Sequence, residues 1–226
     1  MILLTFCIKF AIGNVQPPFS RRCHTHQSKQ DIDMARQPAR VLEPGDVRRL
    51  LTHATGLRHH LRNTVIIMLS FKAGLRACEI AGLTWPMVLK SNGRVDDQIR
   101  ICKHIAKYGG GRHMPLHTDL KKALIRYHRS MGSPTEGPLV LSERGGHMTA
   151  RSIVNWFHDV YAELALGGCS SHSGRRTFIT QSAQMISKIG GSLRDVQELA
   201  GHRALTTTER YIEGNRDAQR KLIRML

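Results

Sequence analysis

The chain has 226 residues, 41% of them hydrophobic, which is enough for a packed core and excludes a disordered chain. Lys and Arg number 34 against 17 Asp and Glu, a formal net charge of +17. That excess points to a polyanionic partner, with nucleic acid ahead of an anionic membrane surface, since no basic amphipathic helix or lipidation signal dominates. Cys7, Cys23, Cys78, Cys102 and Cys169 are odd in number and form no C-x-x-C pair, a usage that suits a reducing compartment and no disulfide framework. Cys23-His24-Thr25-His26 and Cys169-Ser170-Ser171-His172 only faintly resemble metal spacings, because each lacks a second, well-spaced pair. No metal and no cofactor are expected.

The apolar start is interrupted by Lys9 and has no basic residues ahead of it, so it makes a poor signal peptide and is too short to span a bilayer. Residues 14–42 are polar, with Pro17-Pro18 and many His, Gln and Arg. Residues 1–42 are therefore expected to be a disordered extension, with Met34 as the candidate natural start and residues 43–226 as the folded domain.

Glu43-Pro44-Gly45-Asp46 is a turn that leads into an amphipathic helix with Val47, Leu50, Leu51 and Ala54 on one face. Leu61 to Lys72 predicts a strongly apolar core helix that Gly74 ends. A short helix follows through Arg76 to Leu83. Asp97 to Ile105 and Arg112 to Leu116 alternate apolar with polar around Gly109-Gly110-Gly111, which predicts a β-hairpin. Thr118 is the expected cap of a helix to about Met131, with Leu120, Leu124 and Tyr127 inward. Pro138 to Ser142 predicts a short strand, and Thr149 to Leu166 and Ser173 to Ile189 predict helices. Gly190-Gly191 breaks the chain, and Ser192 caps Leu193 to Ala200 with Asp195 at the third helical position. A basic amphipathic helix is expected at about 216–226. The fold class is mainly α with a small antiparallel β-sheet. No Walker motif and no G-x-G-x-x-G after a strand is present, which speaks against nucleotide-driven chemistry.

The chemistry-bearing residues come in four groups. Gly74-Leu75-Arg76 with Glu79 resembles the first arginine box of the tyrosine recombinases, the phage integrase family. His172-Ser173-Gly174-Arg175 resembles its H-x-x-R box, and Leu199-Ala200-Gly201-His202 followed by Thr207, Thr208 and Tyr211 resembles its C-terminal box. Lys107, before the glycine turn and Pro115-Leu116, matches the family's lysine on the sheet. The four groups occur in order, and the resemblance covers residues 40–220.

The residue types also have a physical case. Phosphodiester transfer passes through a five-coordinate phosphorus whose added charge rests on non-bridging oxygens. Arginine stays ionised and presents a planar fork of donors, so Arg76 and Arg175 suit those oxygens. A phenol with a pKa near 10 needs a base or local positive charge before it attacks, and Tyr211 is the expected nucleophile. The resemblance implies His172 as the proton acceptor, His202 as a phosphate hydrogen-bond donor, and Lys107 as the acid for the leaving 5′ hydroxyl. Lys103, Arg112, Arg151 and Arg176 are expected DNA contacts. Glu79 either orients Arg76 or is solvated.

The implied activity is site-specific cleavage and rejoining of double-stranded DNA through a 3′-phosphotyrosyl link. A homotetramer, an accessory DNA-bending protein, no membrane partner, and a cytoplasmic, nucleoid-associated setting in a prokaryote or phage accompany it. The chain departs from the family in three ways: it is expected to be a short form without a full core-binding domain, Ser173-Gly174 stands where Asp-Leu is common, and Ala200 replaces a larger residue. The rival readings are a catalytically silent DNA-binding regulator of a mobile element, a topoisomerase of the same chemistry, and an RNA-binding protein. The last is disfavoured by an aromatic content of only 5%.

Overall fold

The computed structural model describes residues 38–212 together with Arg220, Ile223 and Arg224. The chain divides into two units, Met1–Pro38 and Ala39–Leu226, and the second carries every element described. The expected extension up to residue 37 lies outside the described residues, as does the expected tail helix apart from those three positions. Residues 39–42 depart from the expected boundary at 42, because they are tied to the folded body. Leu42 is 1% exposed, its amide donates to Thr177 Oγ1 at 2.9 Å, and the Arg40 amide donates to the Gly168 carbonyl.

Eight α-helices and one two-stranded sheet are seen among the described residues. In chain order they are α1 (Pro44–Thr55), α2 (His60–Lys72), α3 (Ala77–Gly82), β1 (Gln98–Ile101), β2 (Arg112–Pro115), α4 (Thr118–Ser130), α5 (Ala150–Glu163), α6 (Ser173–Ile186), α7 (Leu193–Ala200) and α8 (Leu205–Glu209). This is the mainly helical, α+β architecture expected from the sequence. None of the described helices is long and apolar enough to cross a membrane.

The core is organised around α2, which buries Val65, Ile66, Ile67, Leu69 and Phe71, and also Arg62, Asn63 and Ser70. A helix buried nearly all round belongs at the centre of a domain, and α2 packs on α1, α3, α4 and α6. Gly74 turns the chain out of α2 at φ +61°. A Cβ built there would lie 2.4 Å from Phe178 Cδ1, so both the backbone angle and the close approach of α6 require glycine. A smaller apolar group, Ile179, Val196 and Ala200 with Phe178, Ile186 and Tyr211 against it, ties α7 and the chain beyond it to α6.

Several boundaries differ from those expected. β1 pairs antiparallel with β2 from Gln98↔Pro115 to Ile101↔Arg112, so the first strand stops four residues before Ile105. The amides of Ile105 and Ala106 both fold back onto the Cys102 carbonyl, and Ile105 closes so tightly on Gly82 that a Cβ there would meet it at 2.5 Å. Residues 102–111 are therefore a loop with one 3-10 turn at Lys107–Gly109. The cap of α4 is His117, whose Nδ1 accepts from the Asp119 amide at 3.1 Å, and not Thr118. Pro138 to Ser142 makes only isolated bridges, Thr84↔Pro138 and Leu141↔His147. Helix α5 begins one residue after the expected Thr149, which is its cap with Oγ1 accepting from the Ser152 amide, and stops at Glu163, short of the expected Leu166. Ser192 and Asp195 form the expected reciprocal cap of α7.

Candidate active site

Arg76 is the residue immediately before α3. Its amide donates to Glu79 Oε2 at 2.9 Å, and its Nη1 donates to Glu79 Oε1 at 3.3 Å. Glu79 is 0% exposed, which decides between the two readings of that residue in favour of the one that orients Arg76. Its second partner is Arg112 on β2, whose Nη1 and Nη2 donate to the two carboxylate oxygens at 2.7 and 3.1 Å. Burial alone would raise the Glu79 pKa; the hydrogen bonds and charge of Arg112, and then Arg76, more than offset it and hold the carboxyl below its usual range.

Arg175 lies in the first turn of α6 and is 3% exposed. Its Nη1 donates to the Gly74 carbonyl at 2.7 Å and its Nη2 to the Ala200 carbonyl at 2.6 Å. One guanidinium thus joins the turn ahead of Arg76 to the end of α7. Burial and the positive charge of Arg76 lower its pKa, yet an arginine this far above neutrality stays charged. His172 is the residue before α6. Partial desolvation lowers its pKa, and Arg175, Arg76 and Lys107 add to the effect. His172 is therefore a neutral imidazole at pH 7, able to accept a proton.

His202 follows α7 after Gly201, which ends the helix in the left-handed region at φ +62°. The ring is largely buried, and its Nδ1 lies 2.9 Å from Thr208 Oγ1. Burial, then Arg175, Arg76 and Arg112, push its pKa down to about 4. If the Thr208 hydroxyl donates to Nδ1, the remaining proton rests on Nε2, which can donate to an anion. The Tyr211 ring stacks on His202 with centroids 5.7 Å apart and planes at 20°, and the Arg176 guanidinium carbon stands 5.8 Å from the Tyr211 centroid, within cation–π range. The Tyr211 carbonyl accepts from Thr180 Oγ1.

Arg76, Lys107, His172, Arg175, His202 and Tyr211 thus gather within electrostatic or ring contact of one another, and Arg176 joins them from the side. Lys103 and Arg151 are exposed, the first on the loop after β1 and the second in the first turn of α5. Arg112 departs from its expected role. Its side chain is 8% exposed, and Nε, Nη1 and Nη2 are directed at the Leu199 carbonyl and Glu79, so its position does not support a contact with backbone phosphate. Two residues had no assigned role in the sequence. Thr208, fully buried, orients His202; its signal was its place in the pattern before Tyr211. The Gly74 carbonyl receives Arg175, and a backbone acceptor leaves no mark in side-chain identity. No group of three or more His, Cys, Asp or Glu is placed to hold a metal among the described residues.

The model of the phage integrase family matches residues 40–217. Tyrosine recombinase XerC of Pelobacter propionicus is 31% identical over 153 residues, which cover 67% of this chain and 47% of the relative. Tyrosine recombinase XerC of Anoxybacillus flavithermus is 29% identical over 164 residues, covering 69% and 51%. The chain spans about half the length of these curated relatives. Among solved structures, the Tn1549 transposon integrase in complex with a circular intermediate DNA is similar at a TM-score of 0.65 and 20% identity, over 84% of this chain and 67% of that one. The XerA recombinase is similar at 0.62 and 22%, over 84% and 65%; at these identities the likeness establishes the fold. With the family match running over nearly all of the described residues, the chain belongs to the phage integrase family, that of the tyrosine recombinases.

Proposed function

We propose that the chain is a site-specific DNA recombinase that cuts and rejoins strands through Tyr211. The observation that carries this reading is the contact of Tyr211 with His202, a histidine that itself lies in the field of Arg175 and Arg76. A phenol, two guanidiniums and a neutral imidazole around one point are the groups that in-line transfer at phosphorus needs.

In this mechanism the Tyr211 oxygen attacks phosphorus and its proton passes to neutral His172. Arg76 and Arg175 hold the non-bridging oxygens, and His202 donates to one of them. The bond from phosphorus to the 5′ oxygen breaks, and Lys107 delivers a proton to that leaving oxygen. A 5′ hydroxyl of the partner duplex then reverses the steps, so the phosphodiester bond energy is kept. Exchange between two duplexes calls for four active sites, hence a homotetramer on DNA, with an accessory bending protein where the site requires one. Lys103, Arg151 and Arg176 supply phosphate and groove contacts, which makes affinity fall with salt. The reading places the protein on the bacterial or phage chromosome in the cytoplasm.

The test uses nicked duplexes that trap the covalent step, built from the DNA flanking the gene. The wild-type chain forms a detergent-stable protein–DNA adduct. Tyr211→Phe forms none while still shifting the duplex on a gel. An adduct that survives Tyr211→Phe refutes the assignment.

A further inference from the structure

Arg112 is held more completely than any other arginine near the site. Its two Nη atoms form a fork on the Glu79 carboxylate at 2.7 and 3.1 Å, and its Nε donates to the Leu199 carbonyl at 2.9 Å. Leu199 lies in the last turn of α7, where carbonyls lack helical partners and the helix dipole favours a cation. Gly201 rests against the same guanidinium: a Cβ there would lie 2.9 Å from Arg112 Nη1. His202 is the next residue. At the other end, Arg112 pairs with Ile101 as the last rung of the hairpin, so it stands at the foot of the loop that carries Lys107.

We propose that Arg112 is a positioning residue that couples the Lys107 loop to the His202 turn through Glu79 and the Leu199 carbonyl. The proposal rests on the recombinase reading for its effect on the reaction, though not for the coupling itself. A fork is needed because three acceptors in two directions must be met from one side chain. A lysine ammonium is a single point on a flexible stem and cannot bridge the carboxylate and the carbonyl together, so Arg112→Lys keeps the charge and loses the clamp. Docking of the hairpin loop against DNA is thereby felt at His202 and Arg76 without Arg112 touching the substrate.

Two measurements on the full chain test this. In Arg112→Lys, affinity for the nicked duplex stays within about twofold while the rate of adduct formation at saturating DNA falls by about 10- to 100-fold, as small misplacements of reacting groups do. A phosphate contact gives the opposite split, with weaker binding, a salt slope reduced by about one and an unchanged rate at saturation, and that result overturns the proposal. The second measurement, amide hydrogen exchange without DNA, needs no recombination site. Residues 102–111 and 199–204 lose protection together in Arg112→Lys while α2 keeps its own. Glu79→Asp, which withdraws the acceptor from the same fork, does likewise. Loosening of one segment alone, or of neither, in these variants overturns the coupling. An adduct that persists in Tyr211→Phe defeats the recombinase reading and leaves the exchange result to decide the clamp.

Discussion

Gly74→Ala should destabilise the fold by about 2–5 kcal/mol, and the structure says where that comes from. The residue has φ +61°, and a left-handed conformation costs a residue with a Cβ about 1–2 kcal/mol. The new Cβ would also lie 2.4 Å from Phe178 Cδ1 and 3.0 Å from Cγ and Cε1, an overpacking penalty of about 1–3 kcal/mol. The two parts separate in a double-mutant cycle. Phe178→Ala removes the ring atoms that clash, so in that background Gly74→Ala keeps only the backbone part, and the coupling energy is about 1–3 kcal/mol in favour of the double variant. Urea unfolding followed by far-UV circular dichroism, with the slope compared across the four proteins, gives these numbers. A cost below about 0.5 kcal/mol for Gly74→Ala, or no coupling with Phe178→Ala, refutes the argument from φ and close approach. The substitution also reaches the site, since the Gly74 carbonyl accepts from Arg175 Nη1 and Arg76 is two residues on. Adduct formation should therefore fall further in Gly74→Ala than the loss of folded protein accounts for.

Glu79→Gln leaves Arg76 and Arg112 beside a neutral amide in a buried place and should cost about 3–5 kcal/mol. The Glu79 carboxyl has a lower pKa folded than its ordinary 4.5. Its contribution is therefore complete above that value and drains away as pH falls through the folded one. Calorimetric melting between about pH 7 and pH 3 should show a steep acid loss in the wild type and a shallower one in Glu79→Gln. His202, at about 4 in the free protein, is neutral at pH 7, and a phosphate brought beside it raises its pKa. Binding then takes up protons, so affinity for a fixed duplex should rise as pH falls from about 7 to 5. The rise should shrink in His202→Gln, with His172 supplying the remainder; equal pH dependence in the two proteins would argue against phosphate docking at His202.

The sequence was most legible where chemistry dictates both residue type and order. Arg76, His172, Arg175, His202 and Tyr211 stand in short boxes that no packing requirement would produce together, and the apolar run from Val65 to Leu69 announces a core helix by composition alone. Legibility failed where the deciding partner is a backbone atom or comes from far along the chain. An arginine reads the same in sequence whether its fork faces phosphate or a buried carboxylate. For Arg112, one acceptor is a carbonyl 87 residues away. The strand pattern runs on to Ile105, but Gly82, distant in sequence, offers that side chain a close seat and the chain curls to take it. Helix α8 carries a threonine run with poor helix propensity, and it is held by tertiary contacts of Thr208, buried against His202.

The same contacts leave the gathered residues short of counter-charge, which is what the proposed reaction needs of them. Arg76 and Arg112 share the single carboxylate of Glu79 and Arg175 lies in its field, while burial first, and then the charge of the neighbouring arginines, lowers the pKa values of Arg175 and His202. Buried guanidiniums without a full set of counter-charges destabilise a fold. Under the proposed recombinase reading, a phosphodiester anion between Arg76 and Arg175 offsets the repulsion between these guanidiniums, and the doubly charged oxygens of the five-coordinate state offset it further. In the proposed reaction that repulsion is relieved most at the transition state, which is the condition for binding energy to accelerate the reaction and not only to retain the substrate.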